Sequence, residues 1–423
     1  MIKTSKPDLE LGGYLFELWL AGNGWVRRRV ETVDFLGAGS LRRSVSVDFE
    51  IPETNFVTPH PLPVPLALLE RRPLVDFDIV DEAGSAMPVC TRAENAYAAW
   101  SMLAAVAAAE INDADGESAD RAIEPLYEDL RIIAFGDSQA ALQLLEDLGE
   151  SEDDLKRTLA ESSFFDAVAR TLATVFLLLV PVGGSPGQRR VVKFRYTLGL
   201  KRFGSGPERF CQAMGWMPAG FEFYVPAVGE SESYHFELAA PTDLEVARSR
   251  LRLKDPVTGR EEIEGVSTGT RAHLYTTGKE PDVDGTALVW LQISRTGLLR
   301  SGCVVAGMIL AVLLFFFATG RLDRPPRDIQ SAILLTLPAL VATLVVRPGE
   351  HGLVTELLLG VRSAIALAGA AAYTAALLLG SGTRGEMLFV SWKVLLGLSS
   401  LCFMSLLLAF LMCKRKSSAA TIT

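Results

Sequence analysis

Cysteine is scarce in this chain, with five among 423 residues: Cys90, Cys211, Cys303, Cys402 and Cys413. There is no CxxC pair and no Cys/His ligand spacing, so neither a disulfide framework nor a structural zinc is expected. Sparse free thiols fit a reducing compartment. Histidine is scarcer still, and His60, His235, His273 and His351 lie far apart in sequence. An apolar leader is missing too. Residues 1–12 include Lys3, Lys6, Asp8 and Glu10, and the short stretch Tyr14–Leu20 leads to Arg27-Arg28-Arg29 instead of a small-residue cleavage site. A secretory signal is therefore not expected. No repeat recurs at a fixed period, which argues against a solenoid or propeller.

Basic charge is also in deficit. The chain carries 41 Lys and Arg against 50 Asp and Glu. Residues 297–423 hold 11 basic and five acidic residues, so residues 1–296 hold 30 and 45. An acidic body is poorly suited to phosphate backbones, and nucleic acid is not an expected partner. Apolar residues, in contrast, are plentiful. They make up 49% of the chain and the mean hydropathy is +0.27, which excludes a disordered chain.

The pattern divides the body into three regions. Residues 14–90 read as β: Ser44–Phe49 alternates polar and apolar, Pro59–Pro65 is held extended by its prolines, and Leu74–Val80 runs into the turn Asp81-Glu82-Ala83-Gly84. Residues 91–172 read as helical and acidic. Thr91-Arg92-Ala93-Glu94 is a capping box opening an alanine-rich helix to about Glu110. From Glu110 to Asp154 there are 15 acidic and two basic residues, either a solvated face or a docking surface for a basic protein partner. Residues 173–296 return to β, with strands expected at Val175–Val182, Val192–Leu198, Phe221–Val225, Tyr234–Leu238, His273–Thr276 and Ala287–Ile293. The two β regions form either one sheet system with the helices inserted or two separate ones.

From residue 297 the composition becomes that of a membrane anchor. Four stretches, Leu298–Thr319, Ile329–Val346, Leu357–Gly380 and Val394–Cys413, approach the ~20 apolar residues that cross a ~30 Å hydrocarbon core. The second has 18 residues and contains Pro338, so three crossings with that stretch re-entrant is the alternative to four. A short basic tail, 414–423, follows. With four crossings, Arg295, Arg300, Arg347, Arg362, Lys414, Arg415 and Lys416 flank the body's side. Arg321, Arg324, Arg327, Arg384 and Lys393 flank the other. Seven against five, together with the missing leader, places the body and the C-terminus in the cytosol, at the cell membrane if the source is bacterial. Small residues recur at four-residue spacing, Ala364, Ala368, Ala372 and Ala376 in one span and Cys303, Gly307 and Ala311 in another. Such stripes serve packing within the chain or a homo-oligomer interface.

Few constellations point to chemistry. Gly265-Val266-Ser267-Thr268-Gly269 matches the nucleophile-elbow pattern, but charged residues precede it and an expected strand follows it. Leu36-Gly37-Ala38-Gly39-Ser40 lacks the third glycine and the helix of a dinucleotide loop and reads as a hairpin turn. Asp113, Asp115, Glu117 and Glu124 match calcium-loop offsets, but Ser118 stands where the loop's glycine belongs. Asp76, Asp78, Asp81 and Glu82 gather carboxylates around one turn, either the wet face of a sheet or a site for a hard cation. No residue is assigned a catalytic, cofactor or metal role, and no cofactor is expected.

The expected fold is thus an α+β cytosolic body, with two β-rich regions around an acidic helical one, followed by four transmembrane helices. The expected function is non-enzymatic: a bilayer-embedded binding, scaffold or sensor protein. Two alternatives stand beside it, a transport or pore-forming protein gated by the body and a membrane-bound hydrolase using Ser267. On this reading the body before Gly297 is expected to hold its own core.

Overall fold

The structure, a computed structural model, describes residues 6–53, 62–71, 74–111, 121–225, 228–255, 259–277, 284–319, 336, 338, 340–343, 351–381 and 385–413. It is a mixed α/β protein with a helical C-terminal region.

The chain opens with α1 (Leu9–Leu20), N-capped by the Asp8 side chain, an element that the β reading of the first region passes over. Strands β1 (Val26–Phe35) and β2 (Ser40–Glu50) form a hairpin, followed by β3 (Leu62–Glu70) and β4 (Val75–Val80). Among the described residues five α-helices come next: α2 (Arg92–Ile111), α3 (Tyr127–Phe135), α4 (Ser138–Gly149), α5 (Asp154–Glu161) and α6 (Ser163–Thr174). The expected capping box opens α2, since the Thr91 amide donates to Glu94 at 2.7 Å and the Glu94 amide to the Thr91 hydroxyl at 3.3 Å. Then come β5 (Val175–Val182), β6 (Arg189–Gly199), β7 (Arg202–Phe203), α7 (Gly206–Ala213), β8 (Ala219–Val225) and β9 (Ser233–Ala239). The body closes with β10 (Leu244–Asp255), β11 (Gly259–Glu264), β12 (Val266–Thr268), β13 (Arg271–Thr277) and β14 (Asp284–Ile293).

The two β regions share one sheet. Its seven strands run β12-β13-β9-β1-β2-β6-β4, antiparallel except for the β1/β9 pair. A five-stranded sheet, β11-β10-β14-β8-β7, and the pair β3-β5 complete the body. Two apolar cores result. One joins α1 and the helices α2–α6 to β3, β5 and the β6 side of the large sheet. There α1 crosses α2 in backbone contact: a Cβ on Gly12 would lie 2.0 Å from the Ser101 carbonyl oxygen, so only glycine fits. Arg71 secures the same layer by donating to the carbonyls of Gly136 (2.9 Å), Ala134 (2.9 Å) and Val175 (3.1 Å), and also to Leu172. A guanidinium at the ends of α3 and α6 satisfies orphan carbonyls and complements both helix dipoles.

The other core lies between the five-stranded sheet and β9, β13 and the β1–β2 turn end of the large sheet. It continues without a break into the C-terminal helices, α8 (Leu298–Ala318), α9 (Gly352–Leu357), α10 (Leu359–Gly380) and α11 (Glu386–Met412). The change of composition at Leu298 is therefore not a change of packing. Helices α8, α10 and α11 are long and apolar enough to cross a membrane. Of the stretch Ile329–Val346 only Thr336, Pro338 and 340–343 are described, all helical; the rest lies outside the described residues. The stripe Ala364, Ala368, Ala372 and Ala376 is buried inside the chain's own helical bundle.

Candidate functional site

The inner face of the large sheet carries charge where the two cores meet. In β1, Arg29 and Glu31 alternate in phase with the buried Val33 and Phe35, so a two-residue period turns both inward. Arg43 of β2 lies opposite Val33 on the neighbouring strand and reaches the same carboxylate. Arg43 Nε donates to Glu31 Oε2 at 2.7 Å and its Nη2 also binds that oxygen, while Arg29 Nε donates to Oε1 at 3.1 Å. Arg29 Nη1 donates to the Leu66 carbonyl (2.9 Å) and Arg43 Nη1 to the Tyr224 carbonyl (2.9 Å), with Glu230 3.7 Å from Arg29. Glu31 is 1% exposed and Arg29 4%.

Burial alone would favour a neutral Glu31, but the charges of Arg43 and Arg29 and their hydrogen bonds overcome it and hold its carboxyl below the usual range. Burial likewise works against the Arg43 charge, and Glu31 more than restores it. The Tyr234 phenol is raised well above its ordinary value, by burial first and by Glu31 second.

This cluster floors a cavity of about 590 Å³. Leu69 of β3, Thr171 of α6, Tyr196 of β6 and Phe223 of β8 wall it, and Trp19, Lys201 and Glu222 also contribute. The volume falls in the range of small-ligand sites, which combine apolar walls with a few fixed polar groups. Chemically the lining offers guanidinium, carboxylate and hydroxyl groups against aromatic and aliphatic surface.

The candidates singled out from the sequence lie elsewhere. Ser267 sits in β12, and a two-residue turn at Gly269-Thr270 leads to β13, a strand and not a helix. Ser267 pairs with the buried Ala272, whereas His273 pairs with Val266 and faces the other side of the sheet. The Gly37–Gly39 segment is the β1–β2 turn, as expected, with the Leu36 amide donating to the Ser40 carbonyl at 3.1 Å. Asp113, Asp115 and Glu117 lie outside the described residues, and Glu124 begins a single 3-10 turn. The carboxylates around Asp81 do not converge. Asp76 accepts from the Thr197 hydroxyl (3.0 Å), Asp78 pairs with Arg195 (2.9 Å), Glu82 pairs with Arg190 (2.7 Å), and Asp81 caps its own turn. Among the described residues no group of three or more His, Cys, Asp or Glu is placed to hold a metal ion.

Two histidines distant in sequence do meet. His235 Nδ1 lies 3.1 Å from His273 Nε2 on the outer face, with Tyr275 packed against His235 at 4.8 Å. No protein-family model matches the chain, and no curated protein matches it. The Arg29–Glu31–Arg43 cluster was missed in the sequence because Arg27-Arg28-Arg29 reads as a charge run. The alternation from Arg29 to Phe35 was the signal that could have found it.

Proposed function

We propose that the chain is a membrane-embedded binding protein whose cytosolic body takes a small ligand into the cavity above Arg29, Glu31 and Arg43. The observation that carries this reading is a cavity of about 590 Å³ floored by buried Arg29 and Glu31 and half-buried Arg43, hydrogen-bonded to one another at the seam between two apolar cores. Ions held this way are costly to bury. A pre-organised polar floor is a reason to retain them.

Four crossings also find support. Phe317, near the end of α8, stacks on Phe389, near the start of α11, at 5.4 Å, which marks the end of the bundle remote from the body. His351, just before α9, is back at the body and bonds the Phe35 carbonyl. The chain between Thr319 and His351 thus starts at one end of the bundle and finishes at the other. Ala342, within that stretch, is buried in the same core. The start of α8 and the end of α11 then lie on the body's side, and the flanking positive charge favours the cytosol for that side.

The test is a thermal-shift screen of the full chain in detergent against a panel of small polar metabolites, with Thr174→Trp as a variant that narrows the cavity without touching the charge cluster. A ligand at 100 times its Kd adds about 2.7 kcal/mol. A stabilising compound whose effect disappears in Thr174→Trp supports the reading. A shift that persists in the variant places the ligand elsewhere.

A further inference from the structure

Helix α7 and the turn after it lie deeper than the start of the membrane helices. The Trp216 indole N–H donates to the Ser405 carbonyl at 3.2 Å, and the next residue, Leu406, lies against Gly302. Gly302 is four residues into α8, about 6 Å below the point where that helix leaves the body. Gly215, at φ +74°, makes the turn that permits this: a Cβ there would lie 3.4 Å from Ala409 and 2.9 Å from Ile293. Trp216 is thus held at the level of the first turn of a spanning helix.

Apolar side chains are exposed beside it. Phe210 is 59% exposed and packs edge-on against Trp216 with ring centroids 6.0 Å apart, and Met217 is 46% exposed. Exposed apolar groups next to a tryptophan at this depth match the anchors found at a bilayer–water boundary. The charges complete the pattern. The neighbouring carboxylates are engaged, Glu208 by the Ser205 amide (2.6 Å) and Glu356 by Arg202 (2.9 Å). The arginines are not. Arg209 on α7 and Arg300 on α8 are exposed, Arg362 on α10 is 8% exposed, and among the described residues none has an ion-pair partner.

We propose that α7 and the Met214–Met217 turn form a membrane-surface element, distinct from the spans, that seats the body in one leaflet and favours anionic phospholipid. Phe210, Trp216 and Met217 enter the headgroup–acyl boundary, and the unpaired arginines meet lipid phosphates. Arg209 and Arg300 are the exposed ones, free to form charge-assisted hydrogen bonds with phosphate oxygens. The proposal rests on the reading of α8, α10 and α11 as membrane spans.

The test uses the full chain in nanodiscs of phosphatidylcholine, with and without phosphatidylglycerol. In a background lacking the native cysteines, an environment-sensitive fluorophore is attached at Met217→Cys or, as the control, at Val304→Cys on the exposed face of α8. Quenching at both positions by lipid-borne spin labels, and not by aqueous iodide, is the expected result. Lipid quenching at 304 with iodide quenching at 217 overturns this inference and leaves the spans standing. Iodide quenching at 304 overturns both. For the lipid preference, Arg209→Gln and Arg300→Gln should each lower the enrichment of phosphatidylglycerol over phosphatidylcholine around the protein about fivefold. Unchanged enrichment in the double variant sinks the headgroup assignment.

Discussion

His351 donates from Nε2 to the Phe35 carbonyl oxygen at 2.9 Å and accepts the Leu353 amide on Nδ1 at 3.2 Å. One imidazole therefore caps α9 and holds the end of β1, the strand that carries Arg29 and Glu31. The contact is tightened by Gly352, where a Cβ would lie 3.1 Å from the Ala38 amide in the β1–β2 turn. The hairpin that floors the cavity is in this way fixed to α9, at the start of the α9–α10 segment of the C-terminal helices.

Replacing His351 separates its two roles. His351→Ala loses the cap and the strand contact, about 1 kcal/mol each. His351→Asn keeps a capping side chain but is too short to reach Phe35, and should recover about half of the loss. Thermal unfolding of the full chain in detergent distinguishes them, and equal losses in the two variants would mean that the cap contributes nothing.

The buried charges make a second prediction, in which removing more costs less. Glu31→Ala strands two buried guanidinium groups and should destabilise the protein by about 3–5 kcal/mol. Replacing all three charges together, Arg29→Met with Glu31→Leu and Arg43→Met, should leave stability unchanged or raised. The triple variant should nevertheless lose any ligand found in the thermal-shift screen. Retention of that ligand would show that the charged floor has no part in binding.

Much of the fold is legible in the sequence because local rules act there without competition. Alternation finds β2 and β6, and the Thr91/Glu94 pair finds the start of α2. What is not legible depends on pairing at long range. The parallel contact of β1 with β9 joins residues about two hundred apart, and together with the pairing of β6 against β2 and β4 it merges both β regions into one sheet. The His235–His273 pair exists only because β9 and β13 are neighbours. Helix α1 was hidden by its small size and by Gly12 and Gly13, whose low helix propensity conceals the backbone contact with Ser101 that requires glycine. The candidate site failed for a related reason: charges on a strand's inner face look like surface until the opposite layer is known.

The His235–His273 contact should make stability depend on pH. Burial, then Arg28 and His273, lower the His235 pKa below its ordinary value, with Glu237 opposing. A group whose folded pKa is depressed contributes stability that is fully present above the unfolded value, about 6.5. That stability is lost as the pH falls toward the folded value, because the unfolded chain takes up the proton first. The melting temperature should therefore decline below about pH 6.5, and less so in His235→Gln. An identical decline in that variant would assign the effect to other groups.

Ser267 gives the sharpest test of the non-enzymatic reading. Its neighbours across the hairpin are Ala272 on its own face and His273 on the other, so His273 is not placed to take its proton. Ser267→Ala should change stability by less than about 0.5 kcal/mol. Fluorophosphonate probes should leave the wild-type chain unlabelled, since a serine without a base is a weak nucleophile. Stoichiometric labelling that disappears in Ser267→Ala would favour the hydrolase alternative.

The continuity of the second core leads to a prediction opposite to the one that composition suggests. A cut after Thr296 follows the change in hydropathy, but it severs contacts made by residues well inside the body. Trp216 would lose the Ser405 carbonyl at 3.2 Å, the Arg295 guanidinium would lose the Phe410 ring 4.2 Å away, and Arg202 would lose Glu356 at 2.9 Å. Phe35 would lose its bond from His351, and the turn at Gly215 would lose Val361 and Ala409. The uncovered surface is apolar and contiguous, the kind that drives aggregation. Residues 1–296 expressed alone should therefore aggregate or melt without a cooperative transition, while the full chain in detergent unfolds cooperatively. A soluble fragment with a sharp melt would show that the five-stranded sheet closes its core without α8, α10 and α11.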